Sequence, residues 1–199
     1  MGEWLANSGV PVRCIEYTPF AIGKKKFLSF SVAFDRAAES LYPLVLQSQA
    51  REPATFWHNI GRADDSWWAA LKARGEISAS WENQPGDAGE RTLRKYVKDD
   101  RIVAYATAYG AVGWGIIENP NSYKLLPIGD PGDILPDHGH RHRLNITWKS
   151  CAPKIGDGVG SDKIRERFGI YHPVSTSVRI ADQNGNDLIK ILSRRWPAR

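Results

Sequence analysis

Residues 26–34 (KFLSFSVAF) alternate apolar and polar positions, Leu28, Phe30, Val32 and Phe34 against Ser29, Ser31 and Ala33, and residues 12–17 (VRCIEY) have a shorter run of the same kind. A period of two predicts two strands with one buried face. Between them Gly23 and the lysines 24–26 read as a solvated hairpin turn. Residues 36–55 lose the alternation, hold Pro43 and Pro53 and include the polar run QSQARE, so a linker is expected near residues 48–53, dividing the chain into 1–52 and 53–199. The first 50 residues are few for a core of their own and are expected to dock on the rest of the chain or to be the end of an upstream domain.

From Phe56 the pattern is denser. Residues 56–60 (FWHNI) predict a short apolar strand ending at Gly61. Asp64, Asp65 and Ser66 then supply a cap and a negative first turn, Trp67, Trp68 and Leu71 lie within reach of one face, Lys72 and Arg74 fill the last turn and Gly75 stops a helix. An extended segment at 77–81, a turn-rich loop at 84–89 and a helical spacing over 90–97 (Leu93, Tyr96, Val97) come next. Residues 102–107 and 112–117 flank Ala108, Tyr109 and Gly110 as a hairpin. Its second strand leaves Gly113 and Gly115 on one bare face, the sign of a close approach by a backbone or a flat group, and a recess for one aromatic ring is expected beside it. Leu144, Ile146 and Trp148 predict one half-buried strand. Ser161 is expected to cap a helix to about Phe168, residues 174–180 to be extended, Asn184-Gly185 to turn, and residues 187–193 to form the last helix.

With 42% hydrophobic and 25% charged residues, the 199-residue chain has a globular composition. It has no apolar run of membrane-spanning length and no signal-like start, so a cytoplasmic location is expected. Cys14 and Cys151 are far apart and form no CxxC pair; they read as buried thiols. Most of the eight tryptophans should be core, Trp114 and Trp148 among them. The formal charge of +5 is C-terminal: residues 129–199 hold 12 basic and 8 acidic side chains. No acid lies between Asp137 and Asp157, where Arg141, Arg143, Lys149 and Lys154 fall together with His138, His140 and His142. Such a stripe suits phosphate contact, and it equally suits a solvated loop.

Three histidines two apart would share a face on a strand and could hold zinc or nickel, but HGHRHR has no thiol or carboxylate and reads as an exposed loop. GDGVG at 156–160 precedes a helix without a GxxxxGK[ST] pattern, so nucleotide hydrolysis is not indicated, although the helix start could accept one phosphate. GxSxG and HExxH are absent, and no catalytic motif is recognised.

Three stretches carry a family likeness: DDRIVAYATAYGAVGWGIIENP, HRLNITWKSCAPK and HPVSTSVRI. With them, residues 56–195 resemble the EVE and YTH domains of the PUA-like superfamily. The Lys-Ser-Glu-Pro ending of the first strand and the Gly-Val-Arg-Asn after the first helix, typical of that family, are missing. The resemblance implies an α+β fold, a PUA-like β-barrel with packed helices, here preceded by a small strand-turn-strand segment. It also implies that a base turned out of its stack enters an aromatic and polar slot. Extrusion costs a few kcal/mol and stacking returns about 1–3 kcal/mol per base, so such a slot with phosphate contacts can bind.

Carried over by position, the resemblance assigns Ser78 and Trp81 after the first helix, Tyr109 in the hairpin turn and Tyr123 in the long loop to the pocket. Ser175 and Thr176 match the polar pair after Pro-Val, and Arg179 falls near a phosphate-contacting arginine. Asn59 could read a base edge with its amide. Arg141, Arg143, Lys149 and Lys154 complete the phosphate set. The expected function is a non-catalytic reader of a modified cytosine or methyladenine, in DNA rather than RNA, in prokaryotic restriction or defence. An RNA-binding module and an enzyme acting on a modified nucleotide in the same cavity are the alternatives. No cofactor or metal is expected; the expected partners are nucleic acid and a nuclease or other effector, with no membrane.

Overall fold

The computed structural model describes residues 12–22, 25–34, 51–61, 64–135 and 137–197. The chain divides into two compact units, Met1–Ala50 and Arg51–Arg199. In the first, β1 (Val12–Ile22) and β2 (Lys25–Phe34) pair antiparallel, with Tyr17 opposite Phe30 and Ile22 opposite Lys25. The expected buried face, the turn at 23–24 and the linker before residue 51 lie outside the described residues.

In the second unit β3 (Thr55–Asn59) pairs in parallel with β5 (Arg101–Ala106) and antiparallel with β10 (Ser177–Ile180). β6 (Gly110–Ile116) and β9 (Thr147–Cys151) extend the sheet in the order β10-β3-β5-β6-β9. A parallel pair needs a crossover. It is supplied by α1 (Asp65–Arg74), β4 (Glu76–Ala79) and α2 (Ala88–Arg94). β4, β8 (His142–Asn145) and β7 (Lys124–Leu125) form a second sheet in the order β4-β8-β7. α3 (Ser161–Phe168) precedes β10, and α4 (Asp182–Arg195) follows it.

α1 forms where its caps predict. Asp64 Oδ1 accepts from the Trp67 amide at 2.9 Å, and Gly75 ends the helix in the left-handed region at φ 61°. That ending explains one departure from the sequence pattern. The Gly75 carbonyl accepts from the Ile146 amide at 2.8 Å, so Ile146 leaves both ladders and the expected single strand becomes β8 and β9, in different sheets. The expected barrel is corrected by the same break: among the described residues the strands form an open mixed sheet and a separate small one, with no closed barrel. The expected Asn184-Gly185 turn is the first part of α4, because a Cβ on Gly185 would lie 2.8 Å from Thr55 Cβ; this glycine seats the helix on β3.

The period of two along β3 and β5 divides the core. Trp57 and Val103 pack with Leu188, Leu192 and Trp196, whereas Phe56 and Ile102 pack with Ile77, Leu93 and Tyr96. Trp57, Trp67, Trp68 and Trp196 are buried, Trp114 and Trp148 pack against the core, and Trp81 is exposed. The bare face of β6 holds no recess. A Cβ on Gly113 would meet the Ser150 carbonyl at 2.7 Å and the Trp68 ring at 3.2 Å, and one on Gly115 would meet Ile146 Cγ1 at 2.8 Å. An indole and a kinked neighbouring strand fill that space.

Candidate functional site

The C-terminal ends of β3 and β5 and the start of β10 lie side by side, so the segments following the first two and preceding the third meet at one end of the sheet. Asn59, the last residue of β3, is fixed there from both sides. Its amide N–H donates to the Thr176 carbonyl at 2.8 Å, and its Oδ1 accepts from the Gly61 amide at 2.8 Å and from Thr107 Oγ1 at 3.4 Å. These bonds fix the amide orientation and leave Nδ2, a donor, without a partner among the described residues. Asn59, Gly61, Thr107 and Thr176 are all half-buried, which makes them a floor open to solvent.

Beside this floor stands a buried relay. His58 Nε2 donates to the Ser78 carbonyl at 2.7 Å, and its Nδ1 lies 2.8 Å from Tyr96 Oη, which is also 2.6 Å from Ser177 Oγ. Burial pulls His58 down to about 4, so the ring is neutral at pH 7, with its proton on Nε2 and its Nδ1 accepting from Tyr96. The relay joins β3, β4, the end of α2 and β10, and it holds Ser78 rigidly. Ser78 Oγ lies 3.2 Å from Nδ1 of His140, whose ring sits edge-on to Trp67 with centroids 5.6 Å apart. Burial, reinforced by the charge of Arg143, pulls His140 down to about 4.

The structure therefore brings together Asn59, Ser78 and Thr176 of the expected pocket and adds Gly61, Thr107, Trp67 and His140. Trp81 follows β4 with its side chain exposed (55%), on a backbone at φ 130° that L-residues rarely adopt. Tyr109 is exposed in the hairpin turn, and Ser175 is exposed with its hydroxyl donating to the Ser177 carbonyl at 3.2 Å. Tyr123 has another task. Its hydroxyl lies 2.8 Å from His142 Nδ1 and its ring lies under the Arg94 guanidinium at 4.2 Å, so it ties the long loop to α2 and β8.

The basic stripe is divided. Arg143 is 1% exposed, lies over the Trp67 ring at 4.9 Å, faces Glu76 at 3.4 Å and donates to the Gly132 carbonyl at 3.0 Å; it is a core cation and presents no charge to a phosphate. The Arg141 guanidinium donates to the carbonyls of Leu126 and Asn83, both at 2.9 Å, and pins the loop after β4. Lys154 and Arg179 are exposed, Arg179 facing Asp182 at 3.7 Å, and the half-buried Lys149 faces Glu118 at 3.7 Å. Lys163, Arg165 and Arg167 on α3 add exposed cations that the stripe did not include. The three histidines separate as well. His138 pairs with Asp133 at 2.8 Å, His140 turns into the strand-end site, and His142 is buried between Asp87 and Tyr123. Among the described residues no group of three or more His, Cys, Asp or Glu is placed to hold a metal ion.

The arrangement defines an α+β domain with a half-buried, donor-bearing polar floor at the ends of two parallel strands. No family model and no curated protein matches the sequence. Solved structures that the chain is similar to are YTH domains. The Mmi1 YTH domain in complex with RNA shares 12% identity over 71% of this chain and 79% of that chain, with a TM-score of 0.45. The Toxoplasma CPSF4-YTH domain in apo form shares 13% over 75% and 92%, TM-score 0.47. The YTH domain of Zygosaccharomyces rouxii MRB1 in complex with N6-methyladenosine RNA shares 10% over 72% and 91%, TM-score 0.45.

Proposed function

We propose that residues 51–199 form a non-catalytic reader that takes one modified base of a single-stranded nucleic acid onto the floor around Asn59. The observation that carries this reading is the oriented Asn59 amide: Oδ1 is consumed by Gly61 and Thr107, so Nδ2 offers a donor to an acceptor nitrogen or carbonyl of a base edge. Single-strand recognition of this kind splays a base out, stacks it on an aromatic and reads its edge by hydrogen bonds. Trp81 and Tyr109 supply exposed aromatic rings, and Lys154, Arg179 and the α3 cations supply positive charge for the backbone. A donor-only contact suits binding better than proton transfer, and His58 has both ring nitrogens engaged.

RNA is the first ligand to test, since the similar structures that hold a nucleic acid hold RNA; the preference for DNA and the restriction setting have no support in the geometry. Fluorescence anisotropy with short single-stranded RNA and DNA of one sequence, each with and without N6-methyladenine or 5-methylcytosine, tests the reading. Tighter binding of one modified strand, by roughly tenfold or more, supports it. Equal binding of every modified and unmodified strand overturns it.

A further inference from the structure

His140 is a half-buried loop residue whose ring packs inward. Its backbone is in the left-handed region at φ 57°, as is that of His138 at φ 51°, a conformation that costs a non-glycine residue on the order of 1 kcal/mol. The ring nevertheless sits against Gly61, so closely that a Cβ there would lie 2.7 Å from Nε2 and 3.0 Å from Cε1. Trp67 meets it edge-on and Ser78 Oγ meets Nδ1. A flat heteroaromatic ring with in-plane nitrogens is thus already held in a fitted slot, one residue beyond Ile60 and next to the Asn59 donor. The slot is made of α1, β4 and the turn after β3; its occupant comes from the long loop between β7 and β8.

We propose that the slot bounded by Gly61, Trp67 and Ser78 is the base subsite, and that His140 occupies it in the free protein as an internal competitor which must swing out before a base is seated. The inference rests on the reader function above and adds its regulation. A nucleobase can replace the imidazole because the Ser78 hydroxyl either donates or accepts, and Trp67 already makes a T-shaped contact with a flat ring. The groups facing the ring are Arg143 on β8, His58 on β3, Ser78 on β4, Trp67 on α1 and Asp137 on its own loop, where only Asp137 favours a charged imidazole. The ring is therefore seated neutral, held down to about 4, whereas a free histidine titrates near 6.5. A depressed histidine favours the closed state fully above about pH 6.5 and loses that advantage as pH falls toward 4. Between pH 8 and pH 5.5 the open fraction rises by about tenfold on these values.

The test uses the whole chain and a short single-stranded RNA bearing one N6-methyladenosine, with the unmodified RNA as control. Wild type should bind the modified strand about tenfold more tightly at pH 5.5 than at pH 8. His140→Gly, which suits the local backbone, should bind tightly at both pH values, and His140→Phe, which fills the slot without titrating, should bind weakly at both. In the ligand-free protein the His140 Cε1 resonance should titrate near 4. Equal, pH-independent binding by wild type and both variants, or titration of His140 near 6.5, overturns the internal competitor while leaving the reader function standing. If no variant distinguishes modified from unmodified RNA although His140 titrates low, the reader function falls, and the base subsite with it.

Discussion

The amide of Asn59 donates to the carbonyl of Thr176 at 2.8 Å, which ties the end of the first strand of the second unit to the segment that leads into its last. The floor is thereby fixed from two distant parts of the sequence. Asn59→Asp keeps an oxygen for the Gly61 and Thr107 donors but replaces the Nδ2 donor with a charge. Stability in urea should change by less than about 1 kcal/mol, while affinity for the modified strand falls by roughly 5- to 150-fold, since an unmatched polar contact costs about 1–3 kcal/mol.

Trp81 has no ring partner among the described residues and is 55% exposed. Trp81→Ala should leave the melting temperature within about 2 °C of the parent, because surface changes usually stay within roughly 0.5 kcal/mol. If the indole stacks on the ligand, the affinity loss should correspond to about 1–3 kcal/mol. Anisotropy and thermal unfolding on the same preparation separate the two effects.

His58 is fully buried and held down to about 4 by desolvation. It is neutral when folded and titrates near 6.5 when unfolded, so its contribution to stability is complete above pH 6.5 and is lost as pH falls through 4. His58→Gln should therefore lose about 2–3 kcal/mol less than the parent between pH 7.5 and pH 4.5 in urea unfolding, from a lower starting value at pH 7.5.

Glu76 is a buried carboxylate within 2.7 Å of Lys124 Nζ, 3.2 Å of Arg74 Nε and 3.4 Å of Arg143 Nε. Glu76→Gln leaves the buried Arg143 without its counter-charge and should cost about 3–5 kcal/mol by chemical denaturation. Lys124→Ala removes a partly exposed partner and should cost under about 1 kcal/mol.

Local signals were legible in the sequence. The α1 caps at Asp64 and Gly75 and the β5–β6 hairpin follow from residue types that satisfy or end a backbone within a few positions. What escaped depends on distant partners. The strand break at Ile146 is set by the Gly75 carbonyl, the helical role of Gly185 by Thr55, and the inward turn of Arg143 by Glu76 and Trp67. In the site, Asn59 could be picked out as a polar residue at a strand end, whereas Ser78 and Thr176 came only through the family resemblance. Thr107 and His140 could not, because nothing near them in the chain marks what they touch. The histidine run HGHRHR even suggested a shared face that the left-handed backbone at His138 and His140 abolishes.

β3 lies between β5 and β10 in the sheet, and β10 is separated from it by most of the second unit. During synthesis β3 can find β5 early, yet its other flank stays an unsatisfied ribbon of backbone donors and acceptors until Ser177–Ile180 has left the ribosome. Nonsense or frameshift products ending before that strand would leave this ribbon sticky, and such fragments should appear in inclusion bodies or be cleared by proteases.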